Sequence, residues 1–298
     1  MWIDAHQHFW KYNSEQYGWI TDEMQVIKRD CLPADLLPEL YANGISGCIA
    51  VQALQSENET RFLLELADQC DEIKGVVGWV DLTADDVPGR LSYFSKFKKL
   101  RGFRHIVQAE PDEHFLLRPE FCRGIACLKE FNFTYDILIY ARQLPAAIEL
   151  VERFPNQHFV IDHLAKPSIR AGELQPWSEQ MRAIAKSANV YCKLSGMVTE
   201  ADWKNWREGD FSPYLQVVLE AFGSDRLMFG SDWPVCLLAA SYKQVKSLVD
   251  SYICKLPLRQ QQSILGLSAV KFYGLDNPLH GSQLNRDGTA VRQRRSPS

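Results

Sequence analysis

Residues 135–163 read YDILIYARQLPAAIELVERFPNQHFVIDH. Two short runs rich in β-branched and aromatic residues, Tyr135–Tyr140 and His158–His163, enclose the segment Ala146–Phe154, whose apolar residues recur with helical periodicity. A strand, a helix and a second strand in this order are typical of a βαβ unit with parallel strands. The chain repeats this pattern in both directions from here.

Eight apolar runs of this kind predict eight strands: Trp2–His6, Ile45–Gln52, Gly75–Leu82, Gly102–Gln108, Tyr135–Tyr140, His158–His163, Val190–Ser195 and Leu227–Gly230. The predicted helices are Thr60–Cys70, Pro88–Phe97, Pro119–Phe131, Ala146–Phe154, Trp177–Ser187, Pro213–Phe222, Ser241–Cys254 and an extra one over Pro257–Phe272. Parallel strands need cover on both faces, so eight units favour an α/β fold closed into a (β/α)8 TIM barrel. A doubly wound open sheet is the alternative, but the glycine-rich phosphate turn it would want is absent from the sequence.

Length and charge limit the classes of protein to consider. The 298 residues, 46% of them hydrophobic, suit one barrel over residues 1–275 and a polar, disordered tail over residues 276–298. A net charge of −4 argues against a nucleic-acid partner. The longest apolar run has about seven residues, against roughly 18 needed to cross a bilayer, so we expect no membrane partner.

The cysteines and the first residues indicate the compartment. The chain has eight cysteines, with no Cys-x-x-Cys spacing, and several interrupt apolar runs as free buried cysteines do. The first residues lack the basic start and apolar stretch of a secretory signal. We therefore expect a reduced, cytoplasmic protein.

Polar residues collect near the carboxyl ends of the predicted strands, where barrels carry their chemistry. His6 and His8 are two positions apart on the first strand, which is the spacing for two imidazoles on one metal or one substrate. The other candidates are Arg104 and His105 on the fourth strand, His163 and Lys166 at the sixth, Lys193 on the seventh and Asp232 after the eighth. Taken singly, a histidine is often only a core residue, and Asp232 fits a turn. Because all of these residues lie near the carboxyl ends of predicted strands, they favour a functional site there.

Further residues have roles that the sequence leaves open. Trp10, Trp79 and Trp233 lie near predicted strand ends and could offer flat faces to a sugar-like ring or simply pack. Lys166 and Lys193 could bind substrate hydroxyls or a carboxylate. Asp162 precedes a strand end, and as an inward carboxylate it needs a partner such as Lys193 or a backbone amide.

Three motifs carry a resemblance that covers the chain to about residue 275: His6-x-His8, Ile161-Asp-His163-Leu-Ala-Lys166-Pro167 and Phe229-Gly-Ser-Asp232-Trp-Pro234. In this order they resemble the sugar-acid lactonase branch of the amidohydrolase superfamily, which includes L-fuconolactonases and L-rhamnonolactonases. The resemblance implies a central cluster of His6, His8, His163 and Asp232, with Asp232 handling the water. Members with two metals usually supply a carboxylated lysine from a middle strand, and Tyr135–Tyr140 has no lysine. We therefore do not expect a binuclear site.

The same four residues, His6, His8, His163 and Asp232, offer enough ligands for one divalent ion of the Zn²⁺ type, with a position left for water. Related lactonases are thought to work without an essential metal, so these ligands do not make the ion indispensable.

The expected chemistry is hydrolysis of a lactone. Ring opening needs a nucleophilic water, stabilisation of the oxyanion and a proton for the leaving alkoxide. Asp232 can take and return the proton, while His163, with His105 or Arg104, can polarise the carbonyl. The expected partner is a small lactone of a sugar acid, and L-fuconolactone is preferred on the resemblance alone. Barrels of this kind often dimerise, so a homodimer is a candidate assembly.

Two other functions stay open on the sequence. One is a metal-dependent decarboxylase or cyclic-amide hydrolase on the same barrel, which a chelator and a substrate panel would distinguish. The other is a non-catalytic barrel that binds sugar acids, which would tolerate loss of Asp232 and turn over no lactone.

Overall fold

Eight parallel strands pair in chain order, as the repeated strand–helix pattern predicts. The structure is a computed structural model that describes residues 1–275; the predicted tail, residues 276–298, lies outside the described residues. The strands are β1 (Ile3–Gln7), β2 (Gly47–Val51), β3 (Ile73–Gly78), β4 (Leu100–His105), β5 (Thr134–Ile137), β6 (Phe159–Ile161), β7 (Val190–Leu194) and β8 (Leu227–Phe229). The predicted (β/α)8 barrel is confirmed.

Helices cover the outer face of the barrel. They are α1 (Pro33–Ala42), α2 (Glu57–Gln69), α3 (Val87–Phe94), α4 (Pro119–Leu128), α5 (Leu144–Arg153), α6 (Trp177–Ile184), α7 (Glu208–Phe222), α8 (Tyr242–Ile253), α9 (Leu258–Gln262) and α10 (Ser268–Phe272), with a π-helical turn at Ser263–Leu267. The sequence pattern did not predict α1, whose interior holds Pro38 and so lacks one backbone hydrogen bond. No helix within residues 1–275 is long and apolar enough to span a membrane.

The barrel closes between β1 and β8. Beyond the regular ladders, Gln7 pairs with Trp233, the His8 amide donates to the Trp233 carbonyl at 2.7 Å, and the Asp232 amide donates to the His6 carbonyl at 2.8 Å. These bonds hold the ends of the first and last strands together. The residues that follow the two strands therefore meet at one place.

The interior of the barrel has an apolar end and a polar end. The apolar end is filled by Ile3, Ala5, Ile49, Val51, Val77, Val160 and Met228 from the strands. Phe272 of α10 and the following Tyr273 and Leu275 pack with them. Alternation along each strand then turns Arg104, Asp136 and Lys193 inward at the opposite end. The carboxyl ends of the strands are thus left as the open face of the barrel.

A shift in the pairing register of β1 against β2, between Asp4 and Gln7, changes which side chains face inward. Asp4 points outward and accepts a hydrogen bond from Tyr242 of α8, and Ala5 packs in the apolar interior. His6 also faces the interior, where it meets Arg104. An irregularity of this kind commonly re-aims a side chain.

We predict that Asp4→Ala destabilises the barrel far more than Tyr242→Phe does. The fully buried Asp4 carboxylate accepts from the His6 amide (3.1 Å), the Ser231 amide (2.9 Å) and the Tyr242 hydroxyl (3.0 Å), so it ties β1, β8 and α8 together. Each buried donor left without a partner costs about 1–3 kcal/mol. Urea unfolding should show a loss of several kcal/mol for Asp4→Ala and about 1 kcal/mol for Tyr242→Phe; equal losses would contradict this role.

Candidate active site

Four side chains converge at the open end of the barrel. Asp232 Oδ1 lies 3.4 Å from His8 Nε2, 3.9 Å from His6 Nε2 and 3.9 Å from His163 Nε2. All four side chains are buried. The structure therefore brings together the whole central cluster that the sequence suggested.

A hydrogen bond on the far side of the His8 ring fixes where its proton lies. His8 Nδ1 is 2.7 Å from the Val51 carbonyl oxygen, which can only accept, so Nδ1 carries the proton. The His6 ring has cationic donors at both nitrogens: Arg104 Nη1 lies 3.2 Å from Nε2 and Lys193 Nζ lies 3.1 Å from Nδ1, with Asp162 Oδ1 3.3 Å from Nδ1. The Nε2 lone pair of His8 is left toward Asp232.

This donor set fits a divalent cation. A tetrahedral site with bonds of about 2.0–2.1 Å holds neighbouring ligand atoms about 3.3 Å apart. His8 Nε2 and Asp232 Oδ1, 3.4 Å apart, are two acceptors that face each other, an arrangement that a shared cation stabilises. His6, His8 and Asp232 form one group whose ligand atoms all lie within 4.8 Å of one another. His163 Nδ1 contacts Ser195 Oγ at 2.9 Å, an outer contact of the sort that orients metal-ligating imidazoles.

His163 starts an unusual backbone segment. Four consecutive residues without glycine, His163 to Lys166, have positive φ angles of 54°, 55°, 56° and 49°. Left-handed backbone costs about 1–2 kcal/mol per residue, and such strain is kept where the surroundings impose it, commonly at functional sites. Trp177 Nε1 donates to the Leu164 carbonyl at 2.7 Å, and Gly196 lies against the His163 ring. The segment brings both His163 and Lys166 to the mouth of the barrel.

Beneath the cluster lies a buried layer of charges. Lys193 Nζ contacts Asp162 Oδ1 at 2.9 Å and Asp136 Oδ2 at 2.5 Å, and Arg104 Nη1 donates to Asp162 Oδ2 at 3.0 Å. The partner expected for Asp162 is therefore Lys193. Burial alone raises the pKa of Asp162, but the Lys193 ammonium and His6 outweigh it and hold that pKa well below its usual range. Lys193 has no exposed surface, so the structure does not place it in contact with substrate.

Burial and charge also set the protonation of the cluster. Burial lowers the pKa of His163 to about 4, so its imidazole is neutral at pH 7. For Asp232, burial alone raises the pKa, but electrostatic attraction to His163 and the other two imidazoles leaves it below its ordinary value. Asp232 is thus a carboxylate at neutral pH.

A cavity of about 640 Å³ opens above the cluster. His8, Arg104, His163 and Asp232 form its floor, and the other lining residues are Trp19, Met24, Ala53, Leu54, Gln55, Ile106, Gln108, Ala109, Leu138, Tyr140, Lys166, Thr199, Glu200, Trp203, Val235 and Leu238. Such a volume suits a small ligand.

Of the five residues predicted to contact substrate, Lys166 lines the cavity. Trp10 is buried and donates to the Arg29 carbonyl, Trp79 donates to His105, and Trp233 packs edge-on against Phe9. Three aromatic rings do line the cavity: Trp19, Tyr140 and Trp203. Trp19 and Trp203 come from loops, and the sequence pattern gave no sign of them because loops carry no periodicity.

His105 lies apart from the cluster. Adjacent strand residues face opposite sides, so when Arg104 points inward His105 points to the helices. Its ring contacts Glu110 at 2.7 Å and stacks on Phe115 with the centroids 4.7 Å apart. Of the two strand-four candidates for polarising a carbonyl, Arg104 is the one at the cavity.

We predict that Gly196→Ala weakens Zn²⁺ binding and that Gly172→Ala does not. Both glycines have positive φ, 62° and 69°, so both variants lose roughly 1–2 kcal/mol of stability from backbone strain. A Cβ at Gly196 would overlap the His163 ring, whereas one at Gly172 meets open space. Competition against a fluorescent chelator should show about 10–100-fold weaker binding for Gly196→Ala alone; equal affinities would show that His163 is not a ligand.

Comparisons with known proteins agree with this geometry. The profile of the amidohydrolase family matches residues 3–275. The chain is 43% identical to an L-fucono-1,5-lactonase of Burkholderia multivorans, covering 93% of this chain and 97% of the relative, and 35% identical to one of Burkholderia ambifaria, covering 93% and 96%. A Burkholderia multivorans amidohydrolase crystallised with bound zinc superposes with a TM-score of 0.89 at 42% identity, covering 93% of this chain and all of that one. On this extent of similarity, the chain belongs to the amidohydrolase family.

Proposed function

We propose that this enzyme hydrolyses the lactone of a sugar acid, with L-fuconolactone or a close analogue as substrate, to the free aldonic acid. The observation that carries the proposal is a buried, ionised Asp232 that faces three imidazoles at the floor of a small cavity. The similarity to two L-fucono-1,5-lactonases supports the choice of sugar.

Asp232 is the general base of the proposed mechanism. Its carboxylate accepts a proton from the water that attacks the lactone carbonyl. The same proton then passes to the ring oxygen as the acyl–oxygen bond breaks, so that the carboxylate is regenerated. A positioned general base of this kind contributes typically 10²–10⁴-fold to the rate.

Arg104 and His163 stabilise the oxyanion that forms on the carbonyl oxygen. Arg104 lines the cavity, and its Nε atom is buried without a hydrogen-bond partner among the described residues. The guanidinium is held in place by Asp162 and by the Gln52 carbonyl. A fixed donor that needs no reorganisation is an effective stabiliser of developing charge.

His6, His8, His163 and Asp232 would hold one divalent ion of the Zn²⁺ type. When bound, such an ion supplies a Lewis acid for the carbonyl and lowers the pKa of water. The protein groups that take the proton and stabilise the oxyanion are in place independently of the ion, so we propose that it binds but is dispensable.

The partner of this enzyme is a small lactone. All eight cysteines are free, which supports the proposal of a reducing, cytoplasmic location. A homodimer stays a prediction, to be measured by light scattering.

We expect Asp232→Asn to lower kcat for L-fuconolactone about 1,000-fold while the protein stays folded, because the amide cannot accept the proton from water. Acid release with a pH indicator measures the rate. Asp85→Asn, at an exposed aspartate, serves as the matched control and should retain full activity. Near-normal turnover by Asp232→Asn would rule out this assignment.

Removal of metal should leave most of the lactonase activity. Because Arg104 and His163 can polarise the carbonyl themselves, we predict that dialysis against a strong chelator lowers the rate less than about tenfold. A panel of sugar lactones, β-keto acids and cyclic amides is assayed before and after dialysis. A loss above about 100-fold that Zn²⁺ restores would make the ion essential. No turnover of any lactone would end the proposal.

A further inference from the structure

Two residues with cationic side chains, Arg104 and Lys166, line the cavity, and each already forms an ion pair with a carboxylate. Arg104 is held by Asp162, as described above. Lys166 Nζ lies 3.4 Å from Glu200 Oε1, with the two side chains only 17% and 22% exposed. In the described part of the cavity, therefore, no lining Lys or Arg has a positive charge left unpaired for a substrate carboxylate.

The Lys166–Glu200 pair lies close to the reacting groups. Burial raises the pKa of Glu200, Lys166 opposes that rise, and the Asp232 carboxylate adds to it. The Lys166 ammonium in turn contributes to the lowered pKa of His163. Lys166 is also fixed by position, since it ends the left-handed segment and packs over the Tyr140 ring at 5.4 Å from its centroid.

Gln108 and Glu200 add acceptor oxygens to the cavity lining. Gln108 Oε1 has no hydrogen-bond partner within residues 1–275. Glu200 brings carboxylate oxygens to the same cavity. Hydroxyl groups can donate to such atoms, whereas a carboxylate brings only more acceptors.

We propose that Glu200 determines substrate specificity: by pairing with Lys166 it selects lactones whose ring substituents are uncharged hydroxyls and excludes lactones that carry a second carboxylate. A second carboxylate is excluded for two reasons: Glu200 already pairs with the Lys166 ammonium, and its own negative charge repels the substrate carboxylate. Repulsion of the wrong ligand is a common source of specificity. The inference rests on the proposed lactonase function and names which lactones it accepts.

The test compares two lactones of the same ring size, L-fuconolactone and L-galactarolactone. The second differs from the first in that a carboxylate replaces the terminal methyl group. The wild-type enzyme should favour L-fuconolactone. Glu200→Gln leaves Lys166 without its counter-ion, so the ratio of kcat/KM for L-galactarolactone over L-fuconolactone should rise at least about tenfold. Adding Lys166→Met to Glu200→Gln should abolish that gain, because the freed ammonium is then gone.

Glu220→Gln is the matched control, since Glu220 pairs with Arg182 on the exposed surface and should leave the ratio unchanged. Calorimetric binding of both lactones to Asp232→Asn, with and without Glu200→Gln, measures the same selectivity in the absence of turnover. An unchanged ratio in a folded Glu200→Gln enzyme that still hydrolyses L-fuconolactone overturns the inference alone. Failure of the wild-type chain to bind or hydrolyse either lactone overturns the inference and the proposed function together.

Discussion

The site depends on the charges that the barrel encloses beneath it. A lysine ammonium with no exposed surface is stable in a protein interior only when carboxylates meet it, and Lys193 has Asp136 and Asp162 within hydrogen-bonding distance. Asp162 in turn holds Arg104 and faces Nδ1 of His6. Two carboxylates and two cations balance in this layer, so its net charge is zero. Asp232 above it is then the carboxylate whose charge is left for chemistry.

This arrangement separates support from reaction. The lower layer holds the His6 ring and the guanidinium in position, and Phe272 and Tyr273 pack beneath it. Tyr273 also donates to Asp136 at 2.8 Å, so the apolar end of the barrel is bonded to the charged layer. The residues that line the cavity lie on the next level up, around Asp232. Removing the charge of Lys193, Asp136 or Asp162 from the lower layer would therefore disturb the site without touching the substrate.

Much of this could be predicted because it follows from periodicity. Eight short apolar runs predicted the barrel, and polar residues after the runs indicated its active end, including His6, His8, His163 and Asp232. Alternation within the fourth strand could also have separated Arg104 from His105, since only one of two adjacent residues faces inward. The same rule predicts that Lys193 faces inward, but not that it lies a level below the cavity. That depth depends on how the strands are staggered.

The features that escaped prediction arise from tertiary contacts. Helix α1 forms despite Pro38 because Leu36 and Leu40 are buried against the barrel, and burial outweighs one missing hydrogen bond. Trp19 and Trp203 reach the cavity from loops. The left-handed segment at His163 contains no glycine, so nothing local in the sequence signals its backbone.

That left-handed segment has a consequence for how the enzyme could diversify. His163, to which we assign a part in the reaction, and Lys166, to which we assign a part in specificity, are carried by a single turn whose backbone must be held as a unit. A substitution that relaxes one residue would move the other, so this turn is poorly suited to adaptation. Glu200 lies on a separate connection after β7, in a short 3-10 turn over Val198–Glu200 whose residues do not have positive φ angles. New substrate ranges should therefore arise in evolution by changes around Glu200, while the turn after β6 stays fixed.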